Sequence, residues 1–211
     1  MEDAVLFSLK GQVAIITMNR PHSLNSMNEA LIDGLHEALT KVEKDPAIKC
    51  AVLTGNGKAF VPAEICRFGD SCRYCCKKAF ITKVGQVAKR ITTIEKPIIA
   101  MVNGVTAGAG VNLMLACDLI YAVDTAKFAQ SFAKVGLIPD CGGLYFLPKA
   151  VGVHKAKELM FTADLIDAAT AEKMALVNHI FPAAELEDAV MQMAERLAAS
   201  APLAIGLIKN I

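Results

Sequence analysis

With 211 residues, 54% of them apolar, the chain can pack one large domain with at most a small appendage, and its short apolar runs never approach the roughly 18 to 20 residues of a membrane span. Its 22 basic side chains against 21 acidic ones leave no bulk field to attract nucleic acid or an anionic membrane. The opening Met1-Glu2-Asp3-Ala4 is acidic and carries no basic segment followed by an apolar stretch, so neither a secretory nor a transit peptide is expected, and a cytoplasmic location is.

Val5 to Leu9 and Val13 to Met18 are apolar runs divided by Lys10-Gly11-Gln12, which predicts a hairpin. Ser26 followed by Glu29 has the form of a capping box, and Met27, Leu31, Leu35, Leu39 and Val42 recur at helical spacing. A helix ending near Asp45-Pro46 should therefore lay one stripe on a core. Cys50 to Leu53 reads as a short buried strand stopped by Thr54-Gly55-Asn56-Gly57. Four of the seven cysteines (Cys66, Cys72, Cys75 and Cys76) crowd the next segment. One CxxC, no nearby histidine and a helical local pattern argue for reduced thiols and no metal site. A helix over much of 76 to 94, a buried strand from Pro97 to Val102, a glycine-opened helix from Gly108 to Cys117 and a strand from Leu119 to Ala122 follow. Further helices are expected near 153 to 161, 168 to 175 and 185 to 199. Strand and helix alternate, which predicts an α/β fold with helices covering a sheet.

The stretch Asn103-Gly104-Val105-Thr106-Ala107-Gly108-Ala109-Gly110 lies between a predicted strand and a predicted helix. Small residues let the backbone approach a ligand, and a helix's first turn offers unpaired N–H groups and partial positive charge. Such a turn is suited to holding an oxyanion, although a tight structural connection has the same composition. The spacing is not that of a dinucleotide fingerprint. The histidines (His22, His36, His154 and His179) are scattered, and none is assigned to catalysis.

Asn19-Arg20-Pro21, Ser23-Leu24-Asn25-Ser26-Met27, Gly57-Lys58-Ala59-Phe60, Lys96-Pro97 through Asn103-Gly104, Cys117-Asp118 and Gly136-Leu137-Ile138-Pro139 with Gly142-Gly143 stand in one ordered series. In that order and spacing the chain resembles the crotonase (enoyl-CoA hydratase/isomerase) superfamily, from about residue 4 to its end. The resemblance implies a spiral of ββα repeats with C-terminal helices, the last of which are missing from this sequence. It divides the chain into a core at 1–195 and the start of a C-terminal helical region at 196–211. It also implies homotrimers or hexamers and an acyl-CoA substrate, coenzyme A entering only as part of that thioester and no other cofactor being needed. In that family two backbone N–H groups hold the thioester oxygen while an enolate forms, each supplying about 3 to 4 kcal/mol. By resemblance one donor falls on Ala109, with Gly108 beside it. The CoA arm lies near Leu24 and Ala63, with Arg20 or Lys58 available to its phosphates.

Two departures bear on the chemistry. After Phe60 the chain reads Val61-Pro62-Ala63-Glu64-Ile65, shorter than the family pattern, and a direct count puts Pro62, which has no N–H, on the second donor position. Either a shifted turn gives the donor to Ala63, or the hole is half empty, or residues are absent from the written sequence at that point. The two glutamates of the family's hydratases fall on Asn112 and Phe132, neither of which can serve as a carboxylate base. Asp140, between Pro139 and Cys141-Gly142-Gly143, can cap a turn. It also matches the aspartate of crotonases that isomerise ring-epoxide phenylacetyl-CoA or shift an enoyl double bond. The expectation is an isomerase with Asp140 as proton carrier and Ala109 and Ala63 as oxyanion donors. Leu24, Pro62, Gly108, Asn112 and Phe132 are expected to line the substrate site. Another crotonase reaction (hydratase, ring hydrolase, dehalogenase or decarboxylase), or a silent acyl-CoA-binding subunit, is the alternative.

Overall fold

The computed structural model describes residues 3–62 and 78–209. Strands β1 (Val5–Lys10) and β2 (Val13–Met18) pair antiparallel across a tight turn with Gly11 at φ +60°. A positive φ at the first turn position matches the right-handed twist of both strands and suits glycine.

Helix α1 (Glu29–Lys44) buries Leu31, Ile32, Leu35, Ala38, Leu39 and Val42 along one face, each large aliphatic contributing about 1.5 to 3 kcal/mol. The expected capping box is corrected by two residues. Asn28 is the cap, its side chain accepting from the Leu31 N–H, while the Ser26 hydroxyl instead accepts from Arg20. At the other end Lys96 Nζ donates to the carbonyls of Val42 and Asp45, 2.6 Å each, satisfying acceptors that the helix terminus leaves unpaired.

Three strand–strand–helix repeats follow. They are β3 (Cys50–Gly55), β4 (Ala59–Val61) and α2 (Lys78–Thr93); β5 (Ile98–Val102), β6 (Val105–Ala107) and α3 (Ala109–Leu115); and β7 (Leu119–Val123), β8 (Lys127–Ala129) and α4 (Gly143–Val151). Then come α5 (Val153–Thr162), β9 (Ile166–Asp167), α6 (Ala168–Lys173), β10 (His179–Phe181), α7 (Leu186–Ala198) and α8 (Pro202–Ile208). The first strand of every repeat enters a six-stranded sheet of order β1-β2-β3-β5-β7-β10, and the second enters a four-stranded sheet of order β4-β6-β8-β9. From β2 onward the large sheet is parallel. The chain thus climbs by one strand in both sheets per turn, which makes the spiral expected of ββα repeats.

A parallel sheet has to be covered on both faces. Accordingly β3 is buried along its whole length, α7 packs on β3, β5 and β7, and α1 packs on β1 and β2. Helix α7 runs continuously through residue 195, where the sequence division between core and C-terminal region falls. Among the described residues no helix is long and apolar enough to cross a membrane.

Candidate active site

The turn from β6 into α3 is built by two glycines. Gly108 holds φ 54° and ψ −125°, a conformation open essentially to glycine alone, and its N–H is spent on the Ala129 carbonyl at 2.9 Å. Gly110 has no room for a side chain, because a Cβ there would lie 2.2 Å from the Val61 carbonyl oxygen. The first turn of α3 is therefore pressed against the end of β4. That contact sets Ala109 beside Val61 and Pro62 in the wall of one cavity of about 520 Å³. The Ala109 N–H, first of its helix, has no acceptor among the described residues, as expected of a group at a helix entrance.

The remaining wall is largely apolar. Phe80, Ile81 and Val84 of α2 face Phe132 and Val135 from the 3-10 turn Ser131–Val135, with Leu137, Ile138 and Pro139 at the approach to Asp140. Lys134 and Asp140 are the charged side chains of the described lining, and Asp140 is its one carboxylate.

Asp140 opens a tight turn. Cys141 and Gly142 both take left-handed backbone, φ 48° and 83°, and the Gly143 N–H returns to the Asp140 carbonyl at 2.8 Å, the geometry of a type I′ turn. The turn leaves Asp140 Oδ1 buried, without a hydrogen-bond partner among the described residues. Burial raises the Asp140 carboxyl above the usual carboxylate range, and the hydrogen-bonded Cys141 thiol pulls in the other direction. The Cys141 thiol is itself pushed well up, by burial first and then by the charge of Asp140.

Of the residues singled out in the sequence, Pro62, Gly108, Ala109, Phe132 and Asp140 thus share one cavity. Asn112 does not border it. That side chain is fully buried behind the wall, donating through Nδ2 to the Asp140 carbonyl (2.9 Å) and accepting through Oδ1 from Gln130 Nε2 (2.7 Å). Leu24 also lies off the cavity, 47% exposed and in left-handed backbone at φ 53°. Arg20 is turned onto the Ser26 carbonyl, and Lys58 is exposed. Ala63 and the cluster Cys66, Cys72, Cys75 and Cys76 lie outside the described residues. Cys50, Cys117 and Cys141 are buried free thiols. Among the described residues no group of three or more His, Cys, Asp or Glu side chains could hold a metal ion.

Sequence reasoning missed Met27 and the α2 contribution of Phe80, Ile81 and Val84. Their helical spacing signals a buried stripe but not that part of the stripe faces a cavity.

The enoyl-CoA hydratase/isomerase family model matches residues 8–211. The chain is 34% identical over 214 aligned positions to the 1,2-epoxyphenylacetyl-CoA isomerase of Escherichia coli, covering 100% of this chain and 82% of that one. It is 36% identical over 198 positions to the mitochondrial enoyl-CoA hydratase of Pongo abelii, covering 94% and 68%. Its fold superposes on the crystal structure of an enoyl-CoA hydratase from Bacillus anthracis with TM-score 0.90 and 28% identity, covering 98% and 81%. A glycine-built helix entrance, an apolar cavity and this whole-length similarity converge, and the chain belongs to the enoyl-CoA hydratase/isomerase, or crotonase, family.

Proposed function

We propose that the protein is an enoyl-CoA isomerase that moves a double bond along an acyl thioester by single-carboxylate proton transfer. The observation that carries this reading is that Asp140 is the one carboxylate among the described residues of the cavity, with a buried and unpartnered oxygen. Water addition calls for one group to activate water and another to deliver a proton, whereas Phe132 lines the cavity and Asn112 is held behind it.

In this mechanism the Asp140 carboxylate removes a proton from Cα of a β,γ-enoyl thioester. The C–H electron pair delocalises, leaving negative charge on the thioester oxygen, where the Ala109 N–H donates. The carboxylic acid then returns the proton to Cγ, the double bond comes to rest between Cα and Cβ, and the elements of the substrate are unchanged. Apolar surroundings favour such a carrier, because a raised pKa brings the carboxyl closer to the carbon acid it must serve. Coenzyme A takes part only as the thioester arm, and the assembly expected with this reading is a homotrimer or hexamer.

Pro62 favours a second reading. It borders the cavity without an N–H to offer, which would suit a subunit that binds acyl-CoA and does not turn it over. The test is Asp140→Asn, assayed with a panel of β,γ-enoyl-CoA thioesters of different acyl length. Wild-type isomerase turnover with a fall in kcat of at least about 10²-fold in the variant is expected. Undiminished turnover in the variant overturns the role of Asp140, and binding without turnover by the wild-type protein across the panel establishes the second reading.

A further inference from the structure

We infer that Asn112 is a positioning residue, which fixes the backbone of Asp140 from behind the cavity wall so that the carboxylate points at the substrate. The inference rests on the reading of Asp140 as proton carrier and assigns Asn112 no contact with substrate.

The directional logic lies in the buried amides. The Asp140 carbonyl can only accept, so the Asn112 amide atom 2.9 Å from it is the donor Nδ2. Asn112 Oδ1 is thereby turned to accept from Gln130 Nε2, 2.7 Å away. Asn112 and Gln130 are respectively 0% and 3% exposed, so no water competes for these bonds, and with Gln130 Oε1 lacking a partner among the described residues the Asp140 carbonyl is what sets their direction. Gly143 closes the arrangement from the far side, since a Cβ there would lie 2.4 Å from Asn112 Nδ2. The Asp140 carbonyl consequently accepts from both the Gly143 N–H and Asn112, and the turn that carries the carboxylate is pinned at its first residue. Asparagine at this position supplies a donor to a carbonyl, a task that a carboxylate cannot perform.

The experiment compares Asn112→Leu, similar in shape but without the amide, with the wild-type protein in isomerase turnover across pH. Among the described residues the titratable group that acts on the Asp140 carboxyl is Cys141 on its own turn, and Lys134 lines the same cavity; both are unchanged in the variant. Loss of the pin should lower kcat on the order of 10²-fold with KM nearly unchanged. It should also move the rising limb of kcat toward lower pH, because a freed Asp140 turn admits water to the carboxyl. Gly143→Ala, which displaces the same amide by steric contact, should do likewise and serves if Asn112→Leu does not fold. A folded variant with wild-type kcat, or with a lowered kcat and an unmoved limb, overturns the inference. Failure of the Asp140 reading is seen separately, as undiminished turnover in Asp140→Asn.

Discussion

Asp140 sits where its own charge is least welcome. Its carboxyl is partly buried and one oxygen has no partner, so the folded chain binds that proton more tightly than the unfolded chain, where the ordinary value of 3.8 applies. For a group raised in this way, the favourable contribution is complete below the unfolded value and is lost as pH rises through the folded one. Replacement by asparagine removes the ionisation. The stability of Asp140→Asn relative to the wild type should therefore climb from acid to neutral pH, while catalysis is lost. Urea unfolding of both proteins across that range checks the sign, and parallel curves would show that burial does not perturb the carboxyl. A stabilising change that abolishes turnover is the pattern expected where a site holds a group at the expense of the fold.

At the scale of elements, the glycines of α3 do the positioning, and the consequence can be tested on the backbone itself. Ala109 is the first residue of the helix, a place where proline is tolerated because its φ is already helical and the missing N–H was unpaired. Ala109→Pro should keep the melting temperature close to wild type and lower kcat by about 10²- to 10³-fold, the cost of one oxyanion donor. Full activity in that variant would place the donor elsewhere. The sequence made α1, α2, α5 and α7 readable, because each runs for ten residues or more, long enough for a helical recurrence of apolar residues to register. It did not reveal β4, β6 and β8, each of three residues, too short for an alternation to register. Helix α4 was hidden by the glycine at its start and by Pro148 inside it, both of which argue locally against a helix. The same limit governs the site. Asp140 and Ala109 stood out by residue type and neighbours, whereas the bond from Asn112 to the Asp140 carbonyl spans 28 residues, and only the fold brings its ends together.

Over the whole molecule, the last described helix is tied to the central sheet by a charge pair whose lysine is buried and whose aspartate is partly open to water, its side chain 25% exposed. Lys209 Nζ lies 2.7 Å from Asp118 Oδ2 and 2.9 Å from the Lys96 carbonyl, with its side chain only 4% exposed. The same Asp118 oxygen accepts from the Ile98 N–H at 2.7 Å, so one carboxylate joins the end of α8 to the starts of β5 and β7. Burial raises the pKa of Asp118, and the Lys209 ammonium is the largest force holding it down. Taking away Lys209 removes a charge-assisted hydrogen bond and leaves a partly solvated carboxylate, which costs about 1 to 2 kcal/mol. Lys209→Met should therefore lose roughly that much unfolding free energy at neutral pH. Asp118 in the variant has its folded pKa raised further, so its ionised form is the destabilised one. The deficit should shrink as pH falls through that folded value and Asp118 takes up a proton. Adding Asp118→Asn should recover part of the loss, since the remaining amide can still accept from Ile98 without an unpaired charge. Urea midpoints of the single and double variants at neutral and mildly acidic pH measure both effects. A deficit that does not change with pH would mean that Lys209 anchors α8 through its aliphatic stem and the Lys96 carbonyl, with no electrostatic share from Asp118.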